Sequence, residues 1–362
     1  MSMPHLCVVP YQRREHEHTY LELLARHFGP QETALRRRVL AWIHERMPAR
    51  ERAPLRHVVV DREQVVASMG HLPAEFWIFG ARAPIRFTHD LLVDEGYRGL
   101  PRLGRKLMVN ALATGARMAG GLWMTEASYR LHLNAGFESL DPLTTYTLAL
   151  DPAQFVAQKK LSPAKTLVAR WVLASKRMRS LARANRTLGR ADGSVADVQR
   201  FDPSLDDTWA RHALGYSITR ARDASYLNWR YADHPNLAYR FALASAAGSP
   251  SGYMVWRASV EGEGRAVVPD FLVERGDVDT FERLLSHVIV EASSAHCTSL
   301  SILTTQAWAA RALREFGFFP RPSRNTWVVG NWQDRVHKES IVKHASWHVV
   351  LGDSDGDMWS LA

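Results

Sequence analysis

Cysteine is almost missing from this chain. Cys7 and Cys297 are its two examples, which excludes a disulfide framework and any zinc site built on clustered cysteines, and a reducing, cytoplasmic setting is expected. Long apolar runs are missing as well: nothing reaches the roughly 18 consecutive apolar residues of a membrane-spanning helix. The opening "MSMPHLCVVPYQRREHEH" has no apolar core ahead of its charges, so no standard export signal is expected either. Acidic residues are absent from residues 152–191, where Lys159, Lys160, Lys165, Arg170, Lys176, Arg177, Arg179, Arg183, Arg186 and Arg190 all carry positive charge.

What is present is ordinary for a folded protein. Apolar residues make up 46% and charged residues 23%, and 12 Trp can anchor a sizeable core. A chain of 362 residues exceeds one typical core of about 100 to 200 residues, so two domains are expected. The net charge of +9 favours anionic partners, whether nucleotide phosphates, nucleic acid or anionic lipid, without choosing among them. Within the basic stretch Leu167, Val168, Trp171, Val172, Met178 and Leu181 recur at helical intervals. We read residues 151–196 as a basic helical connector whose apolar stripe packs against the domains and whose basic face is solvated. A weak contact with an anionic membrane surface through residues 159–190 is the alternative.

Before the connector, residues 1–150 read as an α/β domain with a mixed, mostly antiparallel sheet. "LELLARHF" and "ALRRRVLAWIHERM" are helical. "RHVVVD", "QVVASMGHL" and "PIRFTHDLLV" are strands. A helix from residue 103, the strand "GGLWMT" and the helix "EASYRLHLNAGF" follow. Residues 197–362 repeat the second half of that order, through "RFALASAA", "SGYMVWRASV", "RAVVPDFLV", a helix with Phe281, Leu284, Leu285, Val288 and Ile289 on one face, "TSLSILTT" and "QAWAARALREFGFF". Both halves close a strand-helix pair on one signature, "NAGF" at 134–137 and "EFGF" at 315–318. An internal duplication is the economical explanation.

The stretch "LLVDEGYRGLPRLGRKLM" runs a strand through a glycine-bearing turn into a helix. Such a junction presents backbone N–H groups and the positive end of a helix dipole, which suit a pyrophosphate. Arg98, Arg102, Arg105 and Lys106 add charge there, and Gly99 and Gly104 allow close approach. This stretch and "TEASYRLHLNAGF" resemble the strand-loop-helix and last helix of the GCN5-related N-acetyltransferase superfamily. The resemblance covers about residues 1–150 and implies that acetyl-CoA or a longer acyl-CoA, as co-substrate, lies between "RFTHDLLV" and "GLWMT". It implies contacts from Leu92, Val93, Arg98, Gly99, Leu100, Arg102, Leu103, Gly104, Arg105, Lys106 and Thr125. The family's phosphate loop fits only with one residue inserted before Gly104, and Pro101 brings no N–H.

Where the family usually has a tyrosine as general acid, four residues before Gly136, this chain has His132. His132 and Tyr129, one turn earlier, are the two candidates for protonating the leaving thiolate. Asp90, His89 and Glu75 are the candidates for general base. As strand neighbours, His89 and Asp90 are expected to point to opposite faces.

In the second half the corresponding junction reads "VERGDVDTFERLL", acidic where the first is basic, with Leu313 in the place of His132. We expect a degenerate copy of the domain that helps form an acceptor cleft. "RDASYLNWRYADHPNLAYRF" resembles a segment at the head of the second domain in bacterial tandem acetyltransferase-like proteins, which are related in architecture to Fem-type aminoacyltransferases. Trp229, Arg230, Tyr231 and His234 there suit a sugar or anion, or else a structural core. "EHEH" at 15–18 and "DSDGD" at 353–357 complete no metal sphere, and no metal is assigned. The expectation is a direct-transfer N-acyltransferase taking an acyl-CoA and a small amine or amino sugar, as monomer or homodimer, with nucleic acid no partner. The alternatives are a Fem-like, aminoacyl-tRNA-dependent transferase and a non-catalytic binding protein of the same fold.

Overall fold

The computed structural model describes residues 6–48, 55–100, 103–112, 118–121, 124–140, 143–159, 161–190, 193–258, 264–322, 327–330, 338–341, 343–354 and 357. Contacts divide the chain into two units. The first is Met1–Asp141 with Asn325–His344 and Ser354–Trp359; the second is Pro142–Arg324 with Ala345–Asp353 and Ser360–Ala362.

The first unit opens with β1 (Cys7–Pro10) and the helical α1 (Arg13–Arg46). The two helices expected here are one element broken at Gly29, whose φ of 79° leaves the helical region, followed by Pro30, which has no N–H to continue the ladder. Strands β2 (Arg56–Asp61), β3 (Gln64–Ile78) and β4 (Ala81–Val93) form an antiparallel meander. The long β3–β4 hairpin reverses at Phe79 and Gly80, both at positive φ, which matches the twist of the flanking strands. Then come α2 (Leu103–Leu112), β5 (Met118–Gly121), α3 (Glu126–Asn134) and β6 (Glu138–Ser139). The strand expected at "GGLWMT", residues 120–125, overlaps this one at Gly120 and Gly121 and begins earlier, at Met118; Leu122 and Trp123 lie outside the described residues. Leu103, Leu107 and Met108 of α2 pack on Val59, Ala67, Met69 and Phe137.

The second unit begins with β7 (Thr144–Ala149), α4 (Pro152–Ala157) and α5 (Pro163–Leu188), followed by β8 (Ser194–Val198). Next are α6 (Leu205–Ala213), β9 (Ile218–Arg220), α7 (Ala224–Leu227) with a π-helical turn at Asn228–Ala232, and the meander β10 (Arg240–Ala246), β11 (Ser249–Ala258) and β12 (Arg265–Val273). Helix α8 (Val278–Ser294), β13 (Ser299–Leu303), α9 (Ala307–Glu315) and β14 (Phe319–Pro322) complete it. Phe281, Leu284, Leu285, Val288 and Ile289 of α8 are fully buried, each stabilising by about 1.5–3 kcal/mol.

The two sheets share one plan. In each a meander ends in a parallel pair, β4 with β5 and β12 with β13. The helix after that pair ends in the same Schellman closure: Phe137 N–H to His132 O and Phe318 N–H to Leu313 O, with Gly136 at φ 91° and Gly317 at φ 83°. In each, the place beyond the parallel pair is filled from the other half of the sequence. Strand β15 (Val328–Gly330) lies between β5 and β6, and β7 lies between β13 and β14.

One expectation about the second unit comes out differently, and one pair of alternatives is decided in favour of the structural core. The apolar residues expected to pack α5 do not do so: Leu167, Val168, Trp171, Val172 and Met178 are exposed, while the small Ser180, Ala184 and Thr187 are buried and Leu181 is packed on the core. Small residues on that face let α5 lie close against α8. The "NWRY" segment is core. Trp229, Arg230, Tyr231 and His234 are buried, and Tyr231 donates to Asp270 at 2.9 Å. Asp270 pairs at 2.9 Å with the buried Arg222, which also holds Asp353, from "DSDGD", at 2.7 Å.

Candidate functional site

Strands β4 and β5 run together only as far as Phe87 opposite Gly120. Beyond that point β4 continues to Val93 while β5 ends at Gly121, so among the described residues one edge of β4 is left open. Asp94 donates its N–H to Val66 O at 2.9 Å. Along this end of β4, therefore, Leu92 and Asp94 turn their amides to β3, and Leu91 and Val93 turn theirs to the open edge. A cavity of about 530 Å³ lies along that edge, lined by Leu91, Leu92 and Val93 of β4, Arg98, Leu100, Leu103 and Gly104 ahead of and in α2, and Thr125, Ser128 and Leu131 of α3.

Each wall has a local cause. After β4, Asp94 caps a short 3-10 turn, Glu95–Tyr97, by accepting from Gly96 N, and Tyr97 donates to Asp61 at 2.7 Å. Arg98 then folds back: its Nε donates to Val93 O at 3.2 Å, one Nη to Glu95 at 3.2 Å and the other lies 3.0 Å from His27 Nε2. Arg98 is therefore a loop staple whose half-exposed guanidinium still faces the cavity. Helix α2 has no acidic residue in its first turn, and Arg105 and Lys106 are exposed there. Gly104 is needed for a close approach of helices, since a β-carbon on it would meet Leu131 Cδ2 at 2.9 Å. Gly99 faces open space. Thr125 caps α3 by accepting from Ser128 N. Arg102, with Pro101, lies outside the described residues.

His132 is buried beside the place where the strands part. Its Nδ1 is 2.7 Å from Ser128 O, which can only accept, so Nδ1 carries the proton and Nε2 presents a lone pair to the Thr88 hydroxyl at 2.8 Å. Burial lowers the His132 pKa, opposed by the Ser128 carbonyl, and the ring stacks edge-on against Phe137. A β-carbon on Gly121 would sit 3.2 Å from Thr88 Oγ1 and 3.4 Å from His132 Nε2, so the glycine keeps this pair clear. Tyr129 is half-buried in the apolar cluster of Leu107, Met108 and Phe137.

The alternation expected at His89 and Asp90 does not hold. Asp90 has φ 53° and sits in a bulge, where the β3–β4 register shifts between Ser68 and Gly70. Both side chains reach Arg56: Asp90 accepts from it at 3.1 Å, and a β-carbon on Gly70 would touch both His89 Cε1 and Arg56 Nη2. Asp90 also accepts from Arg36 and from Tyr20, each at 2.9 Å. Burial pushes the Asp90 carboxyl up, but Arg56 and Arg36 outweigh it and hold the group below the usual range. Burial, with Arg56, pulls His89 down to about 3. Both groups brace the bulge, and neither lines the cavity. Glu75 lies farther along the β3–β4 hairpin, opposite Pro84, exposed and paired with Arg82 at 3.4 Å.

Leu92, Val93, Arg98, Leu100, Leu103, Gly104 and Thr125 thus come together on one cavity, with His132 adjoining. Sequence reasoning missed Thr88, Leu91, Ser128, Leu131 and His27. The Gly120–Gly121 pair was the one local signal for the crowding around Thr88.

No protein-family model and no curated protein matches the sequence. Solved structures do match. A probable N-acyltransferase from Enterococcus faecalis V583 is 13% identical, covers 91% of this chain and 74% of its own, and has a TM-score of 0.59. A GCN5-related N-acetyltransferase from Anabaena variabilis is 13% identical with the same TM-score, over 90% and 72%. Saccharomyces cerevisiae N-myristoyltransferase with bound myristoyl-CoA is 10% identical, at 0.59, over 92% and 80%. At such identities the likeness is one of architecture: the chain has the GCN5-related N-acetyltransferase fold.

Proposed function

We propose that this protein is a CoA-dependent N-acyltransferase that moves an acetyl or longer acyl group from acyl-CoA to an amine of a small molecule or amino sugar. The observation that carries the reading is the open edge of β4 above the 530 Å³ cavity, closed at one end by the cationic start of α2. An extended pantetheine arm can pair with the edge amides, and a pyrophosphate suits the amides and basic side chains of α2. The amine nitrogen bonds to the thioester carbonyl carbon, the carbon–sulfur bond breaks, and CoA leaves as the thiolate.

The chain's own residues handle position and proton. Leu91 and Val93 N–H groups point to the edge where a thioester carbonyl would gain charge. Neutral His132, through Thr88, holds a lone pair ready: as an amine attacks, Thr88 accepts its proton and passes its own to Nε2. The proton returns by the same path to the thiolate. His132 therefore serves as a relay that begins as base, in contrast to the pure acid that the family resemblance implies. The bulge at Asp90 sets the direction of the Leu91 amide.

The test is release of free thiol from acyl-CoA across a panel of amines, beside titration with CoA alone. Amine-dependent thiol release supports the proposal. Donor binding without turnover for any amine favours the non-catalytic reading. Absence of CoA binding, with salt-sensitive binding of charged tRNA, favours the tRNA-dependent one.

A further inference from the structure

Helix α5 carries a feature that neither the fold nor the proposed reaction uses. At about 100° per residue, Ser180, Ala184 and Thr187, its buried positions, fall in one sector. Leu167, Trp171 and Met178 fall in a stripe on the opposite side, away from the core, and the exposed Val168 and Val172 extend it round one flank of the helix. Trp171 is 75% exposed, Met178 68% and Leu167 67%. Large apolar side chains on a soluble surface normally appear singly; here they make one continuous strip. An apolar groove of about 630 Å³, lined by Leu161, Val168, Val172 and Phe319, runs beside it.

Charge says what would cover the strip. Arg170 borders it on one side, Lys165 and Arg179 on the other, and residues 152–190 include no acid. Among the described residues Lys165, Arg170 and Arg179 meet no carboxylate, whereas Arg183 and Arg190, farther along, pair with Glu282 and Asp279. An apolar strip with a tryptophan, flanked by free cations on long apolar stems, matches the interfacial zone of an anionic bilayer, where stems lie with the acyl chains and charges meet headgroups. We propose that the N-terminal two-thirds of α5 docks this protein in the plane of an anionic membrane surface. The inference does not depend on the acyltransferase reading.

Flotation of the full-length protein with vesicles tests it. Phosphatidylcholine vesicles containing a minority of phosphatidylglycerol should carry the protein up, and vesicles of phosphatidylcholine alone should not. Leu167→Ser with Trp171→Ser, both at exposed positions, should keep the thermal unfolding transition and lower partitioning at least about tenfold. Lys165→Gln, Arg170→Gln and Arg179→Gln together should lower it about a hundredfold, near fivefold per charge. Failure of the intact protein to bind anionic vesicles overturns the proposal, as does binding that ignores the apolar substitutions. Self-association abolished by those substitutions, without vesicle binding, would assign the strip to a second copy and overturn it too.

Discussion

At the scale of single residues, Asp90 and His132 divide the work between support and chemistry. Asp90 takes two arginines and a tyrosine hydroxyl in a buried bulge at positive φ. Removing its charge strands Arg56, which is itself buried, so Asp90→Ala should destabilise by about 3–5 kcal/mol in denaturant unfolding. Asp90→Asn, which tolerates positive φ and keeps an oxygen that can accept, should cost clearly less; equal costs would show that the lost charge alone, and not the backbone conformation or the remaining hydrogen bonds, sets the effect. For His132, Ala substitution should lower kcat about 10²–10⁴-fold while CoA binding is kept. Its lowered pKa fixes the sign of the pH effect. The neutral, proton-accepting form persists below the ordinary histidine value of about 6.5, and kcat/KM falls only as pH drops through the lowered value. An acid limb centred at or above 6.5, or one unchanged in His132→Gln, contradicts the relay.

Among elements, α2 and α3 meet where Gly104 and Leu131 are nearly in contact, and both line the cavity. Gly104→Val should overpack this crossing by about 1–3 kcal/mol and raise the Kd for CoA about tenfold, and Leu131→Ala in the same chain should recover most of the loss. No recovery would mean that Gly104 serves the backbone instead. This is also the scale at which the sequence was most legible. The strand-turn-helix at 91–112 and the twin "NAGF" and "EFGF" closures rest on local rules, glycine at a Schellman turn and apolar residues at helical spacing, and the elements appear where those rules put them. The bulge was not legible, because Asp90 is held at positive φ by Tyr20, Arg36 and Arg56, which are distant in sequence. Helix α5 misled for a similar reason: its most apolar residues suggested the packed face, whereas the fit against α8 selects small side chains.

For the whole molecule, the decisive feature is the exchange of β7 and β15. Neither is visible as foreign to its half of the sequence, since a strand's pattern records its burial and not its partner sheet. Each half of the chain cut near residue 150 lacks a strand that its own sheet requires, leaving β5 or β13 with an unpaired edge. Residues 1–150 and 151–362, made separately, should each fail to give a cooperative unfolding transition, and made together should recover one. Cooperative unfolding of either piece alone would contradict the topology.

The central claim is that the open edge of β4 and the start of α2 bind a CoA thioester, and calorimetric titration of the intact protein with acetyl-CoA and myristoyl-CoA tests it most directly. Micromolar binding, weakened at least tenfold by Arg98→Ala with Arg105→Ala and Lys106→Ala, is the result expected from several phosphate contacts at about 1.4 kcal/mol per decade. Absence of binding by the intact protein, or affinity indifferent to those three side chains, would contradict it.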